Sequence, residues 1–337
     1  MDIMETIAKK GSSVVNTKII LLLPLMIGLL FTASCQQAES PTGEDERLEV
    51  IATIFPLYDF ARNVGGNKIN VTMLLPPAAD AHHYELKPDD IMRIGKTDVF
   101  LFTSFEMENW ARKVIDAVAD KTNMLAVETG QGASFLPLPE HHEHHSGNRS
   151  GLKENVASHR AKLDPHIWLD FDNAQKMIDS ITNAFIRKDP KNSAFYEKNA
   201  RDYKLRLIDL DKKYREQLSN CRTRTILHAG HWAFAYPASR YRLQYMAAYN
   251  MSADAEPSPQ QILVLIEKVK GQKLQYIYHE DLAAPRLAGT IASETGAGLL
   301  KLSNGQDISK KDILNGISFV SLMERNLENL KKGMQCP

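Results

Sequence analysis

Several features that mark common classes of protein are scarce or absent in this chain. It has 3 cysteines in 337 residues, so no more than one disulfide can form within it. The formal net charge is +0, which gives no reason to expect a nucleic-acid partner. The apolar run from Ile19 to Phe31 is shorter than the roughly 20 residues that a membrane-spanning helix needs. The His-Glu-x-x-His motif of many zinc hydrolases does not occur, so no helix of that kind is available for metal catalysis.

The short apolar run belongs to a segment with the pattern of an export signal. Three lysines precede the run, and residues 31–35, Phe-Thr-Ala-Ser-Cys, resemble a lipobox. We therefore expect residues 1–35 to form a lipoprotein signal peptide, with Cys35 as the lipidated residue. Because Thr32 stands where a lipobox usually has leucine, a plain cleavable signal is the alternative. Residues 36–47 are polar and predict a flexible tether between lipid and domain.

The cysteines that remain after Cys35 also agree with export. If Cys35 carries lipid, Cys221 and Cys336 are the two left over. In an oxidising compartment we expect them to pair, which would attach the C-terminus to the start of a strand near Cys221. A pair of buried free thiols is the alternative.

From residue 48 onward, strand-like and helix-like stretches alternate, which predicts an α/β fold. The mature chain of roughly 290 residues is long enough for two lobes. We expect each lobe to contain a small, mostly parallel sheet flanked by helices, the N-terminal lobe over 48–190 and the C-terminal lobe over 221–337. A long, rigid backbone helix over 191–220 would join them. Residues 139–161 predict a histidine-rich loop within the first lobe.

The joining helix has a clear sequence pattern. Between residues 193 and 218, apolar side chains recur at steps of three and four: Tyr196, Ala200, Tyr203, Leu207, Leu210, Tyr214 and Leu218. At about 1.5 Å per residue such a helix spans roughly 40 Å, which suits a strut between lobes. In the helix before it, which runs to Lys188, Asp172 is the predicted N-cap.

Four potential metal ligands lie far apart in the sequence, near the ends of probable strands or before a helix. They are His82, His166, His231 and Glu280. Because ligands bind beyond the carboxyl ends of parallel strands, two facing sheets would place His82 and His166 on one wall of a cleft and His231 and Glu280 on the other. Three imidazoles and one carboxylate suit tetrahedral Zn²⁺, whereas two carboxylates and two histidines would suit Mn²⁺ better.

Other histidines leave alternatives open. His83 and His228 are the nearest rivals of His82 and His231 as ligands. A second, looser group of imidazoles lies in the loop of the first lobe: His141, His142, His144 and His145. Flexible clustered imidazoles bind zinc weakly because ordering the loop opposes binding, so this loop would collect metal near the cleft. A solvated polar loop without a function is the alternative.

Together these motifs resemble a known family, the zinc-binding lipoproteins of ABC-type metal uptake systems. They are the ZnuA-like and AdcA-like branch of the cluster A-I (TroA-type) substrate-binding proteins. The motifs that carry the resemblance are Asp80-Ala81-His82-His83-Tyr84-Glu85, Asp164-Pro165-His166-Ile167-Trp168, His231-Trp232-Ala233-Phe234-Ala235-Tyr236, Ala255-Glu256-Pro257-Ser258-Pro259 and Glu280 with Glu294-Thr295-Gly296-Ala297. The resemblance implies two α/β lobes joined by a rigid helix, with a metal between them bound by His82, His166, His231 and Glu280. A histidine-rich loop between the first two ligands is also characteristic of the zinc branch.

The function expected from these features is that of a receptor rather than an enzyme. We expect a monomeric, exported lipoprotein, at the cell surface or in the periplasm, anchored by lipid. It would capture Zn²⁺ as transported cargo and deliver it to an ABC permease and its ATPase. The rivals are a Mn²⁺ or Fe²⁺ receptor of the same fold, an extracellular zinc hydrolase with Glu280 as general base, and an adhesin that presents the lobes to a host partner.

Overall fold

The computed structural model describes residues 47–337 apart from 78, 80, 119–121, 140–161, 250–256, 281–284 and 307. The strands of this part are Leu48–Ala52 (β1), Ile69–Met73 (β2), Val99–Phe102 (β3), Leu125–Glu128 (β4), Thr225–His228 (β5), Gln244–Ala247 (β6), Tyr276–His279 (β7) and Gly298–Lys301 (β8). The α-helices are Phe55–Gly65 (α1), Pro88–Lys96 (α2), Ala111–Val118 (α3), Phe171–Lys188 (α4), Ser193–Gln217 (α5), Ala235–Arg240 (α6), Pro259–Gly271 (α7), Pro285–Thr295 (α8), Lys310–Leu314 (α9) and Phe319–Met334 (α10). Short 3-10 helices occupy Gly66–Lys68, Ile167–Leu169 and Pro190–Asn192.

Several predictions fall outside the described residues. These are the signal peptide with Cys35, the tether up to residue 46, and the loop with His141, His142, His144 and His145. They stay predictions, as do the lobe boundaries. Within the described residues, every helix is too short or too polar to cross a membrane.

The strands form two parallel sheets, as the alternating pattern predicts. The first sheet has the order β2-β1-β3-β4 and the second the order β6-β5-β7-β8. All the pairings are parallel. The central strands β3 (Val-Phe-Leu-Phe) and β5 (Thr-Ile-Leu-His) are buried at every position. Continuous burial of this kind is expected where helices cover both faces of a parallel sheet, so the chain has the predicted two-lobed α/β architecture.

Helix α5 is the predicted long helix and lies between residues 193 and 217. The periodic apolar residues from Tyr196 to Tyr214 are its buried face. It packs against α1 and α4 beside the first sheet and against α10 beside the second. Two buried tyrosines fix it, one at each side. The Tyr203 hydroxyl donates to Asp59 at 2.8 Å, and the Tyr214 hydroxyl donates to the Met323 carbonyl at 2.6 Å. The helix therefore holds both lobes with directional contacts as well as apolar packing.

The predicted N-cap of α4 is wrong by two residues. Asp170, rather than Asp172, caps the helix, because its side chain accepts hydrogen bonds from the backbone N–H groups of Asp172 and Asn173. The sequence offers an aspartate at both positions, and the chain enters the helix from the 3-10 turn Ile167–Leu169, which favours the earlier one. Helix α4 consequently begins close to His166.

A disulfide joins Cys221 to Cys336, as predicted. The two residues are 115 positions apart in sequence. Next to the bridge, the N–H of Arg222 donates to the Gln335 carbonyl at 3.3 Å and that of Thr223 to the Met334 carbonyl at 3.1 Å. The bridge therefore attaches the end of α10 to the segment that leads into β5.

Removing this disulfide should lower the free energy of unfolding by about 2–5 kcal/mol, because a long loop in the unfolded chain would no longer be closed. The variant that replaces both Cys221 and Cys336 by serine tests this by urea unfolding, with the reduced native chain as its control. Equal midpoints for the double-serine variant and the oxidised native chain would contradict the prediction.

Candidate metal centre

The predicted ligands lie where the topology of parallel sheets places ligand sites. In the second sheet β5 and β7 are neighbours although β6 separates them in sequence. Their outgoing loops diverge there, and open α/β sheets bind ligands at such a switch point. His231 follows β5, and Glu280 directly follows β7. His82 follows β2 of the first sheet, and His166 precedes α4.

His166 is completely buried, and Asp164 orients its ring. The Oδ1 atom of Asp164 lies 2.8 Å from Nδ1 of His166 and accepts the backbone N–H of His166 at 3.0 Å. A carboxylate only accepts hydrogen bonds, so in the neutral ring Nδ1 carries the proton and Nε2 keeps its lone pair. The Tyr236 hydroxyl donates to the Asp164 carbonyl at 2.6 Å and holds this turn in place. The Asp-Pro-His motif thus contains its own orienting carboxylate.

His231 is held in the same way by Glu280. Its Nδ1 lies 2.7 Å from Oε1 of Glu280, so the proton of the neutral ring again belongs on Nδ1. The Tyr245 hydroxyl donates to the His231 carbonyl at 3.3 Å and positions the backbone of this loop. A carboxylate behind a histidine is the usual way in which proteins fix the ring of a metal ligand.

The Nε2 nitrogens of the two oriented rings lie against each other. Nε2 of His166 and Nε2 of His231 are 3.3 Å apart. Two nitrogens bound to one tetrahedral zinc at about 2.0–2.1 Å are separated by roughly 3.3–3.4 Å. If Asp164 and Glu280 hold both ring protons on Nδ1, two lone pairs face each other at this distance. A cation between them satisfies both, and the spacing fits zinc.

His82, rather than His83, lies beside these rings. The ring centroids of His82 and His166 are 5.3 Å apart in an edge-to-face arrangement, whereas His83 is exposed. The loop is fastened by Trp110, whose Nε1 donates to the Ala81 carbonyl at 3.2 Å. The structure therefore brings together His82, His166 and His231 from distant parts of the chain.

Glu280 is almost completely buried behind His231, with 1% exposure. Burial alone would raise the pKa of its carboxyl group, but the charges and hydrogen bond of His231, with contributions from His228 and His166, lower it below the usual value. The carboxylate form is therefore favoured. Its Oε1 atom contacts the nitrogen of His231 that faces away from His166. A direct bond from Glu280 to a metal would most simply use the other oxygen, Oε2.

Several buried acceptor atoms around this centre lack a hydrogen-bond donor within the described residues. They include Oδ2 of Asp164, Nε2 of His228 and Oε2 of Glu280. Buried acceptors without donors are costly, and in folded proteins they usually have an unseen water or ion as a partner. In the same described part of the chain, no three His, Cys, Asp or Glu side chains are already arranged to hold a metal ion. Binding would therefore require side-chain rotation to add a third ligand to His166 and His231.

His228, the alternative to His231, is a fully buried residue at the end of β5. Its ring packs edge-on against Phe234, with centroids 4.8 Å apart. Burial lowers the pKa of His228 to about 4, although the charge of Glu280 acts in the opposite direction. The ring is therefore neutral at physiological pH. It is His231, not His228, whose Nε2 faces His166.

Another buried carboxyl group, that of Glu108, lies at the switch point of the first sheet between β1 and β3, and no sequence motif points to it. Glu108 accepts the Thr53 hydroxyl at 2.5 Å and the backbone N–H groups of Thr103 and Ser104 at 3.0 and 3.2 Å. Burial raises the pKa of Glu108 to about 7, and these hydrogen bonds lower it only in part. The carboxyl group joins the carboxyl ends of both central strands and has the hydrogen bonds of a structural residue.

We expect Glu108 to make the stability of the chain depend on pH. Its folded pKa lies above the unfolded value, so the free energy of unfolding should fall by about 3 kcal/mol as pH rises from about 4.5 to above 7. Glu108→Gln imitates the neutral, protonated form of the carboxyl group but cannot titrate. Its amide N–H can donate to Thr53 while its oxygen accepts the two backbone N–H groups. Urea unfolding of both proteins across this range measures the difference between them. If that difference stays constant with pH, the carboxyl group does not titrate as stated.

The comparisons with known proteins agree with the fold. The family described as "Zinc-uptake complex component A periplasmic" matches residues 50–333. The zinc-binding lipoprotein AdcA of Streptococcus pneumoniae is 32% identical over 315 residues, which cover 94% of this chain and 60% of AdcA. The high-affinity zinc uptake system protein ZnuA of Bacillus subtilis is 30% identical over 308 residues, 90% of this chain and 94% of that protein.

A solved structure extends the likeness to three dimensions. The Zn(II)-bound ZnuA-like domain of Streptococcus pneumoniae AdcA matches with a TM-score of 0.71 at 30% identity, over 86% of this chain and 99% of that domain. The present chain spans about 60% of the length of AdcA itself, so the match concerns this part of that protein. The family match extends over most of the chain, and the fold agrees with it. The chain belongs to the ZnuA family of periplasmic A components of zinc-uptake complexes.

Proposed function

We propose that this chain is an extracytoplasmic receptor that captures Zn²⁺ and delivers it to an ABC-type permease and its ATPase. The observation that carries the proposal is the 3.3 Å separation of Nε2 of His166 and Nε2 of His231, each ring oriented by a carboxylate. The relatives support it, because their names describe zinc-binding lipoproteins and a zinc uptake system.

The proposed ligands of the captured ion are His82, His166, His231 and Glu280. His82 already lies against His166, and Glu280 has an oxygen, Oε2, without a donor within the described residues. Rotation of these two side chains would complete four ligands around the His166–His231 edge, and Glu280 would have to turn, because its Oε1 contacts the nitrogen of His231 that faces away from His166. Four protein ligands leave no open position for a reacting water, which favours a carrier over a hydrolase. Imidazole-rich coordination favours Zn²⁺ over Mn²⁺.

Competition titration with a zinc chelator tests the proposal directly. The mature chain should bind one zinc ion tightly and should bind Mn²⁺ much more weakly. Tight manganese binding with weak zinc binding would support the Mn²⁺ receptor instead. Hydrolytic activity that depends on Glu280 in the zinc-loaded protein would support the enzyme.

Delivery to a membrane permease requires attachment or diffusion close to the membrane, and we propose attachment through lipid on Cys35, with the chain acting as a monomer. Incorporation of labelled fatty acid into the native chain, and its loss in Cys35→Ser, tests the anchor.

We also propose that His141, His142, His144 and His145 collect zinc near the centre. Deletion of residues 140–145 should remove weak zinc equivalents and leave the tight one, and unchanged stoichiometry would contradict this role.

A further inference from the structure

Asn304 lies in the loop after β8, behind the metal centre, and its side chain points at Glu280. The residue is 1% exposed and is not a member of the proposed ligand set. Its Oδ1 accepts the backbone N–H of Gln306 at 2.7 Å, which orients the amide and leaves the donor, Nδ2, for Glu280. The Nδ2 atom lies 3.5 Å from Oε1 of Glu280.

The backbone at Asn304 is held from both lobes. Nε1 of Trp168 donates to the Asn304 carbonyl at 2.7 Å, across 136 positions of sequence. Trp168 is completely buried, and its ring lies edge-on against His166 with centroids 5.4 Å apart. From the second lobe, Asn326 of α10 accepts the N–H of Ser303 at 2.9 Å and donates to the Ser303 carbonyl at 2.7 Å. The loop therefore presents the Asn304 amide from a fixed backbone.

In the described part of the chain, Oε1 of Glu280 contacts two donors at unequal distances. Nδ1 of His231 is 2.7 Å away, and Nδ2 of Asn304 is 3.5 Å away. Hydrogen bonds from nitrogen to oxygen are normally about 2.7–3.2 Å long, so the contact with the amide is a weak one. To bind the captured ion, Glu280 has to turn away from Nδ1 of His231. The buried carboxylate oxygen that does not reach the ion then needs a donor, because leaving it without one is costly.

We propose that Asn304 is a positioning residue that holds Glu280 in its ion-binding orientation. Its amide contacts the carboxylate weakly in the ion-free chain and bonds to it fully once Glu280 has turned. It therefore stabilises the loaded state more than the empty one and slows the release of zinc, without touching the ion. This inference rests on the proposed function, because it requires Glu280 as a ligand. Since Trp168 donates to the Asn304 carbonyl, the hold on Glu280 also depends on the contact between the lobes at this point.

The test replaces Asn304 by aspartate in the full native chain. Asn304→Asp keeps the shape of the side chain and the acceptor for the Gln306 N–H, but it removes the donor that faces Glu280. The matched control is Asn329→Asp, because Asn329 is a partly buried asparagine of the second lobe that donates to the Lys301 carbonyl at 2.8 Å. Zinc release into excess chelator should be about 10- to 100-fold faster in Asn304→Asp, with a matching loss of affinity. Release from Asn329→Asp should stay within about threefold of the native rate.

The same substitution in a Glu280→Ala background shows whether Asn304 acts through the carboxylate. Without that carboxylate, Asn304→Asp leaves only the effect of its added charge on the ion, so it should no longer speed release. This comparison separates positioning from general damage to the loop, which would speed release in both backgrounds.

Three results overturn the inference and leave the receptor proposal intact. They are release at the native rate in Asn304→Asp, an equal acceleration in Asn329→Asp, and an equal acceleration in the Glu280→Ala background. A native chain that binds no zinc overturns the proposed function itself. If Asn304→Asp lacks a cooperative unfolding transition, Asn304→Ser takes its place, because the serine hydroxyl can accept the Gln306 N–H but is too short to reach Glu280.

Discussion

Replacing His166 by alanine should weaken tight zinc binding by roughly 100- to 1000-fold. Structural zinc sites are worth about 10–16 kcal/mol in total, so one ligand of four accounts for about 2.5–4 kcal/mol. Among the proposed ligands, this loss should be largest for His166, because it is completely buried and oriented before binding by Asp164. Competition with a chelator of known affinity measures the change at a pH near 7.

Two further variants separate loss of a ligand from general damage. Asp164→Asn keeps the shape of the orienting side chain but can shift the ring proton of His166, and we expect a loss of about 10- to 100-fold. His83→Ala changes an exposed histidine of the neighbouring loop and should leave tight binding unchanged. His166→Ala with native zinc affinity, and with a cooperative unfolding transition, would contradict the assignment of this residue as a ligand.

Much of the fold can be predicted from the sequence because local patterns and packing agree. Four apolar residues in a row, Val99–Phe102, predict a fully buried strand, and strand β3 has these bounds. The sequence Ser258-Pro259-Gln260-Gln261 likewise predicts a capping box at the start of a helix, and α7 begins with it. Helix α6 was missed: it has only six residues, with Pro237 inside it, and lacks a period long enough to recognise. Its buried Tyr236 and Pro237 show that packing against the rest of the lobe stabilises it.

For the metal centre, topology accounts for the part that could be predicted. Loops after neighbouring parallel strands meet at one edge, so the proximity of His231 and Glu280 follows from their positions after β5 and β7. His166 precedes α4, and its approach to His231 was predicted only from the assumption of two facing sheets. Which atom faces which could not be predicted, because ring orientation depends on tertiary contacts. Examples are the contact between Oδ1 of Asp164 and Nδ1 of His166 and the contact between Oε1 of Glu280 and Nδ1 of His231. The same contacts place His231, rather than His228, against His166.

The second large effect concerns the junction of the lobes, where Arg240 of α6 binds three aspartates. It forms paired hydrogen bonds with Asp211 of α5 at 2.7 and 2.9 Å and with Asp172 at 2.8 and 2.9 Å. A further bond of 3.0 Å reaches Asp170, the N-cap of α4. The Arg240 side chain is 10% exposed. One guanidinium therefore joins helices of both lobes to the long helix between them.

We expect Arg240→Met to lower the free energy of unfolding by about 3 kcal/mol. Removing one partner of a buried ion pair usually costs about 3–5 kcal/mol, because the opposite charge stays buried without compensation. The lower end applies because Asp172 is largely exposed and can turn to water. For a chain of this size the midpoint of thermal unfolding should fall by about 5 °C. Calorimetry of the metal-free proteins measures this without a contribution from bound zinc.

Lys213→Met on α5 is the matched control, because it removes a cation whose pairs with Asp209 and Glu324 lie at the surface. Exposed ion pairs contribute little to the free energy of unfolding, because water and salt screen them. Lys213→Met should therefore lower this free energy much less than Arg240→Met does. The two also differ in salt dependence: the contribution of Arg240 should persist in concentrated salt, whereas that of Lys213 should vanish. Equal losses in the two variants would mean that the aspartates around Arg240 find water as readily as exposed ones do, and that apolar packing on α5 alone holds the lobes.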